Sequence, residues 1–137
     1  MALAARATQG GRHERGNGRR WDAGVSDAGP VTVSTHVLDA TAGAPAAGVE
    51  VLLERRGEDG EWLATDLGAT DPDGRMRFSG AVAPGAYRLT FATGDYFAAR
   101  GVESFYPEVA VTFTASGGHY HVPLLLSPFA YSTYRGS

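Results

Sequence analysis

The chain has 137 residues, a formal net charge of −3 and no cysteine, and all twelve of its basic side chains are arginine. This length predicts a single domain with enough apolar material for a core, and the dispersed charges give no reason to expect nucleic acid or a membrane as a partner. The lack of cysteine excludes disulfides, thiolate metal sites and a cysteine nucleophile, and the lack of lysine excludes a Schiff base. Catalysis would have to use His, Ser, Arg, Tyr or carboxylates.

The first thirty residues differ in composition from the rest, because they are rich in Gly and Arg and poor in large apolar side chains. Such a segment cannot bury enough surface to offset the entropy lost on ordering. We therefore expect a disordered leader over residues 1–30 and a folded domain over residues 31–137. A basic arm that binds nucleic acid is the alternative, although Glu14, Asp22 and Asp27 dilute its charge. No stretch is typical of a secretory signal or a membrane span, which predicts a cytoplasmic protein.

From Val31 onward the sequence has the alternation of β-strands. The first predicted strand carries Val31, Val33 and Val37 on one face and Thr32, Ser34, His36 and Leu38 on the other. Seven more strands are predicted at residues 49–55, 62–69, 75–79, 86–92, 108–115, 119–126 and 130–134. Eight short strands with Gly, Pro and Asp between them predict an all-β, two-sheet sandwich.

Two segments interrupt this alternation. The sequence Asp71-Pro72-Asp73-Gly74 is typical of a tight turn, with Pro at a position of fixed φ and Gly at one that needs positive φ. Residues 95–100 predict one short helix, with Asp95 as its cap and Gly101 just past its end.

The strand that approaches the carboxyl terminus carries the chemistry. His119 and His121 are two residues apart and therefore share a face. A hairpin after this strand would bring Tyr134 close to His121, and an aromatic, a cation, a Gly and a hydroxyl at the tail could close over the pocket. Pro123 lacks a ladder donor, which predicts that this strand lies near an edge or is bulged.

Each polar candidate has more than one interpretation. His119, His121 and His36 could together ligate a metal, but general acid and base chemistry by imidazole is the stronger hypothesis, and a solvated surface histidine is the alternative for His36. Arg75 could pair with Asp73, or its planar fork could orient a carbonyl-rich ring and stabilise an oxyanion. Arg135 could do the same from the tail.

Several segments together resemble one known family. They are Ser34-Thr35-His36-Val37-Leu38-Asp39, Pro45-Ala46-Ala47-Gly48-Val49, Thr70-Asp71-Pro72-Asp73-Gly74-Arg75, Thr93-Gly94-Asp95-Tyr96-Phe97, residues 119–128 and residues 131–137. From about Val31 to Ser137 the chain resembles the transthyretin-related 5-hydroxyisourate hydrolase family. Transthyretin, a hormone carrier of the same fold, shares much of the strand framework but lacks the histidines and the Tyr-Arg-Gly-Ser tail.

The resemblance implies an eight-stranded, transthyretin-like sandwich with one short helix, assembled as a homotetramer with its active sites at the dimer–dimer interface. It implies hydrolysis of 5-hydroxyisourate to 2-oxo-4-hydroxy-4-carboxy-5-ureidoimidazoline in urate catabolism, with no cofactor and no metal. By matching motif, it implies catalytic roles for His36, Arg75 and His121, and substrate contacts by His36, Arg75, Tyr134, Arg135 and Ser137.

Two other classes of protein remain as alternatives. One is a carrier that binds a planar aromatic ligand in the same channel without turnover. The other is a structural sandwich with incidental histidines, because the turn at residues 71–74 followed by residues 84–89 is also similar to non-catalytic sandwich modules. Incubation with freshly generated 5-hydroxyisourate separates an enzyme from both.

Overall fold

The computed structural model describes residues 29–79 and 83–137, and within them nine strands and one helix form a two-sheet sandwich. The elements are β1 (Val31–Asp39), β2 (Ala44–Pro45), β3 (Glu50–Arg56), β4 (Trp62–Ala69), β5 (Arg75–Arg77), β6 (Gly85–Phe91), α1 (Thr93–Ala99), β7 (Val109–Ala115), β8 (Gly118–Ser127) and β9 (Ala130–Thr133). The predicted all-β sandwich with one short helix is confirmed. The predicted leader, residues 1–30, lies outside the described residues except for its last two.

The first sheet is built around β1. This strand pairs in parallel with β8, which pairs antiparallel with β9, while β2 and β5 both pair antiparallel with the other side of β1. The register places Ser34 opposite His121 and His36 opposite Arg75. Residues that are 87 and 39 positions apart in sequence are thereby made neighbours.

The second sheet has the antiparallel order β4-β3-β6-β7, with an irregularity in β3 between Leu53 and Glu54. The core lies where the two sheets face each other, and it includes the valines predicted for the inner face of β1. Its largest fully buried side chains include Tyr87, Phe91, Leu53, Leu89 and Leu124. Each contributes about 1.5–3 kcal/mol through removal from water, which makes this core a rigid support for the outer face of the first sheet.

The helix α1 is anchored through Tyr96. Its hydroxyl donates a 2.8 Å hydrogen bond to Oδ2 of buried Asp39, whose Oδ1 accepts from the backbone N–H groups of Thr41 and Ala42. Burial, together with the Asp39 bond, raises the pKa of Tyr96 to about 12. This contact fixes the end of β1 and the turn that follows it. No helix in the described part of the chain is long and apolar enough to span a membrane.

The predicted helix boundaries need one correction. The helix begins at Thr93, with Ala92 at the N-cap and no side-chain cap, so the prediction that Asp95 caps it was wrong. Asp95 instead lies in the first turn, where its negative charge interacts favourably with the helix dipole. The predicted end is confirmed, since Gly101 follows the helix with φ of 70°.

One short strand was not predicted, and one prediction about β8 can be compared with the sheet order. Strand β2 was missed, because a segment of two residues that includes a proline shows no alternation. It consists only of a short pairing with Leu38 and Asp39. The prediction that the strand of Pro123 lies near an edge is confirmed, because β8 is the neighbour of the edge strand β9. The Thr133 hydroxyl donates to the Pro123 carbonyl at 2.7 Å, and regular pairing with β9 covers only Leu124–Ser127.

Candidate active site

Strand pairing arranges polar residues in rows on the outer face of the first sheet. The first row contains Arg75, His36 and Pro123, the second Arg77, Ser34, His121 and Gly136, and the third Thr32 and His119. Paired residues on neighbouring strands point to the same side of a sheet, as do residues two apart in one strand. The three rows therefore form a continuous polar surface opposite the buried valines of β1.

A cavity of about 420 Å³ opens on this surface. Its lining residues are Ser34, Thr35, Asp71, Arg75, Met76, Arg77, His119, His121 and Ser137. Of the residues predicted for the site, the cavity brings together Arg75, His121 and Ser137. His36, Tyr134 and Arg135 are placed on or beside the same rows but do not line it.

His121 is half-buried in this cavity, and its Nδ1 lies 2.8 Å from the Ser34 hydroxyl. Burial lowers the pKa of His121, and electrostatic interaction with His119, His36 and Arg75 lowers it further. At neutral pH the imidazole is therefore uncharged. With Nδ1 engaged by Ser34, its Nε2 atom is the nitrogen left for a molecule in the cavity.

His36 is held in one orientation from the neighbouring turn. Its Nε2 lies 3.0 Å from the Asp73 carbonyl oxygen, which can only accept, so Nε2 carries a proton and donates. The half-buried ring is therefore not a freely solvated surface histidine. Its partner across the strand pair is Arg75, which places an imidazole and a guanidinium in the same row.

The turn before β5 positions Arg75. Oδ1 of Asp71 accepts from the backbone N–H groups of Asp73 and Arg75, at 2.9 Å each, which closes the turn that the sequence predicts. Gly74 has φ of 77°, and a Cβ there would collide with the Val37 carbonyl oxygen, so only glycine fits. Within the described ranges the one ion pair joins Arg88 to Glu54, and thus the alternative pairing of Arg75 with Asp73 does not form.

The carboxyl-terminal tail returns to His121. The Gly136 N–H donates to the His121 carbonyl at 2.8 Å. This bridge has the same register as the pair Leu124 and Thr133, so the pairing of the tail with β8 continues beyond Pro123. A Cβ on Gly136 would lie 2.6 Å from Cδ2 of the His121 ring. The glycine therefore allows the tail to pack directly on the imidazole and to carry Ser137 into the cavity.

The other two tail residues point elsewhere. Arg135 stacks on the ring of Tyr120, with 4.2 Å from its guanidinium carbon to the ring centroid, and its Nη2 donates to the His119 carbonyl at 3.4 Å. Tyr134 is 59% exposed on the outer face. In a single chain, neither side chain lines the cavity.

Sequence reasoning missed several lining residues. Ser34 had been placed only on the polar face of β1, and Arg77, two residues after Arg75, was not considered although the same alternation rule puts both on one face. The metal hypothesis for His36, His119 and His121 finds no support, because no group of three or more His, Asp or Glu side chains in the described ranges is arranged to hold an ion.

A sandwich with an imidazole and two guanidinium groups around an open cleft defines a small-molecule site suited to proton transfer beside a developing negative charge. Comparison with known sequences agrees with this class of site. The model of the HIUase/Transthyretin family matches residues 33–136, and the chain belongs to that family.

Relatives of two kinds were found. The 5-hydroxyisourate hydrolases of Salmonella typhi and Caulobacter vibrioides are each 49% identical to the chain, covering 80% and 77% of it and 84% and 97% of their own lengths. The structure of Klebsiella pneumoniae 5-hydroxyisourate hydrolase superposes with a TM-score of 0.71 at 41% identity, covering 77% of this chain and 99% of its own. Sea bream transthyretin in complex with thyroxine superposes with a TM-score of 0.69 at 31% identity, covering 76% of this chain and 93% of its own.

The packing of Gly136 on His121 can be tested by adding one methyl group. In Gly136→Ala, the new Cβ must push the ring or the tail aside, so we expect the His121 ring resonances to shift and the amide of residue 136 to exchange faster with solvent. NMR spectroscopy measures both. Gly29→Ala is the control, because a Cβ there meets nothing within 4 Å. Unchanged His121 resonances and amide exchange in Gly136→Ala would contradict the contact.

Proposed function

We propose that this chain hydrolyses 5-hydroxyisourate to 2-oxo-4-hydroxy-4-carboxy-5-ureidoimidazoline, a step of urate catabolism. The observation that carries the proposal is that His121, Arg75 and Ser137, which come from three separate segments, line one cavity. Support also comes from the relatives of several bacteria that are named 5-hydroxyisourate hydrolase. The reaction is the addition of water to a ring carbonyl followed by cleavage of the ring C–N bond.

In this proposal His121 is the general base. Its neutral Nε2 accepts a proton from a water molecule as the water oxygen bonds to the carbonyl carbon. Two observations favour His121 over His36 in this role: its ring lines the cavity, and its lowered pKa keeps a nitrogen lone pair free at neutral pH. Proton transfer by a positioned imidazole contributes roughly 10²- to 10⁴-fold to a rate.

Arg75 has the complementary role. Its guanidinium stabilises the oxyanion that forms when water adds, and it then faces the carboxylate that the ring opening creates. Arg77 lies two residues further along the same strand and lines the same cavity, so we propose a second guanidinium contact to this charge. A base and an oxyanion donor together supply roughly 5–8 kcal/mol, and no covalent intermediate is needed.

The remaining predicted residues are proposed to hold the substrate. His36 stands in the same row as Arg75, with Nε2 committed to Asp73 and Nδ1 on the other side of the ring. Ser137 contributes its hydroxyl from the tail, and Tyr134 offers an exposed ring on the outer face. Arg135 needs a change from its stacked position on Tyr120 before it could contact the substrate.

We also propose a homotetramer of domains formed by residues 31–137, with the cleft at an interface. Support comes from the row beyond Pro123, where apolar Leu38 and Leu125 are paired, and where Leu125 is 37% exposed. Together with exposed Tyr134, this row gives the cleft an apolar border that a second copy could cover. Light scattering of the purified protein measures the assembly.

The cytoplasmic location stays a prediction.

A carrier of a planar aromatic ligand is the alternative function, since sea bream transthyretin shares the fold. A carrier needs a binding channel but no neutral imidazole beside a guanidinium. The decisive experiment is to add purified protein to freshly generated 5-hydroxyisourate and to compare its loss with the uncatalysed rate. Acceleration supports the enzyme, whereas binding without acceleration supports the carrier.

Substitution of the two central groups tests their roles. We expect His121→Gln and Arg75→Gln each to fold normally and to lower kcat/KM by roughly 10²-fold or more, because each removes a group that acts only as charge and protons move. The control is Arg56→Gln, an arginine of the other sheet that stands 6.0 Å from the ring of Trp62. Full activity in both site variants would reject the assignment.

The lowered pKa of His121 predicts a pH profile. A base must be neutral, and the pKa of this imidazole lies below its ordinary value of 6.5 because of burial and the neighbouring positive charges. The value of kcat/KM should therefore be constant around pH 7. Below pH 6.5, as the pH falls through the lowered pKa, a plot of log(kcat/KM) against pH should decline with a slope of one. Steady-state rates from pH 4 to 8, corrected for spontaneous hydrolysis, measure it. A profile already falling above pH 6.5 would contradict the assignment.

A further inference from the structure

Ser34 bridges the two histidines of β8. Its Oγ atom lies 2.9 Å from Nε2 of His119 and 2.8 Å from Nδ1 of His121. The serine is only 9% exposed. On the far side of His119, Nδ1 lies 2.7 Å from the hydroxyl of Thr32. Four side chains thus form an unbroken chain of hydrogen bonds from the exposed edge of the sheet to the cavity.

A serine hydroxyl has a single hydrogen, so it can donate to only one of the two imidazoles. If it donates to Nε2 of His119, it must accept from Nδ1–H of His121, and Nε2 of His121 is left with its lone pair. His119 then carries its proton on Nδ1 and donates to Thr32. The reverse direction would satisfy the same four groups, but only this one makes His121 a base toward the cavity.

We propose that Ser34 is a positioning residue that sets the tautomer of His121 and relays protons between His121 and His119. The proposal rests on the proposed function. When Nε2 of His121 takes a proton from water, its Nδ1–H passes to Ser34 Oγ as the serine proton passes to Nε2 of His119. One positive charge moves from His121 to His119, and no atom or electron is gained or lost.

The surroundings favour this direction of transfer. His121 is half-buried and is faced by His36 from β1, by Arg75 and Arg77 from β5, by Asp71 from the turn and by the tail. His119 is exposed, where water stabilises a positive charge. After the transfer, His121 carries its proton on Nε2, where it can be delivered to the nitrogen that leaves when the ring C–N bond breaks. As Nε2 gives up this proton the relay runs in reverse: the Nε2 proton of His119 returns to Ser34, and the serine proton passes to Nδ1 of His121. His121 therefore stays neutral, and the resting tautomers are restored.

The tautomer can be measured in the resting protein, without substrate. With ¹⁵N-labelled histidine, NMR spectroscopy at neutral pH should find Nδ1 of His121 protonated and Nε2 unprotonated. In Ser34→Ala the two tautomers of His121 should become mixed. Ser132→Ala, an exposed serine of β9, is the matched control and should leave the spectrum unchanged. A His121 that carries its proton on Nε2 in the unaltered protein would overturn the proposal.

Kinetics give a second readout that a purely structural role would not reproduce. Ser34→Ala should lower kcat by roughly 10²-fold with little change in KM. The substrate contacts remain, but His121 is no longer held in the tautomer that leaves Nε2 free to accept a proton. Combined with His119→Gln, it should be no slower than either single variant, since both interrupt one chain. Unchanged kcat in Ser34→Ala, or fully additive losses, would overturn the relay.

The two proposals fail in different ways. If the unaltered protein does not turn over 5-hydroxyisourate, the proposed function fails while the tautomer measurement still decides the role of Ser34. If the protein is active and Ser34→Ala keeps both its rate and its tautomer, the relay fails alone. If Ser34→Ala does not fold, the tautomer of His121 in the labelled unaltered protein and the kcat of His119→Gln still test the proposal.

Discussion

The candidate site depends on the parallel pairing of β1 with β8. The register of this pair puts Ser34 beside His121 and Thr32 beside His119, and the antiparallel pairing of β5 with the other side of β1 adds Arg75 and Arg77. A slip of one residue would turn every one of these side chains toward the core. The slip is opposed by the valines on the inner face of β1, which would have to leave the core at the same time. Apolar packing on one face therefore specifies the chemistry on the other.

Positive charge in the cleft has two effects that must be balanced. In the proposed mechanism Arg75 stabilises an anion, and together with burial and the other histidines it also lowers the pKa of His121. The same field that keeps this base free of protons at neutral pH makes it a weaker base and makes the protonated form costly. A route for the proton toward exposed His119 relieves that cost. Ser34 is the group whose position makes such a route available.

Much of the fold could be predicted from local patterns. Alternation located eight strands and the two faces of β1, and Asp71–Gly74 predicted a turn that the Asp71 carboxylate does close. The site itself needed the register between distant strands, which no local pattern contains. For that reason the link between Ser34 and His121 was missed, whereas His121 and Arg75 were found through their chemistry and through the family resemblance. Arg77 could have been found from Arg75 by alternation along β5. Alternation also argues against the predicted substrate contact by Arg135, because it places this side chain on the opposite face from Tyr134 and Gly136.

The tail offers the most direct test, since Gly136 packs on His121, Arg135 donates to the His119 carbonyl and Ser137 lines the cavity. A chain that ends at Thr133 keeps β9 and the core intact, so we expect nearly unchanged thermal unfolding. Its kcat/KM for 5-hydroxyisourate should fall by roughly 10²-fold or more relative to the full chain, because the substrate and the His121 ring lose their support. A truncated chain that folds and hydrolyses 5-hydroxyisourate as fast as the full chain would contradict this account.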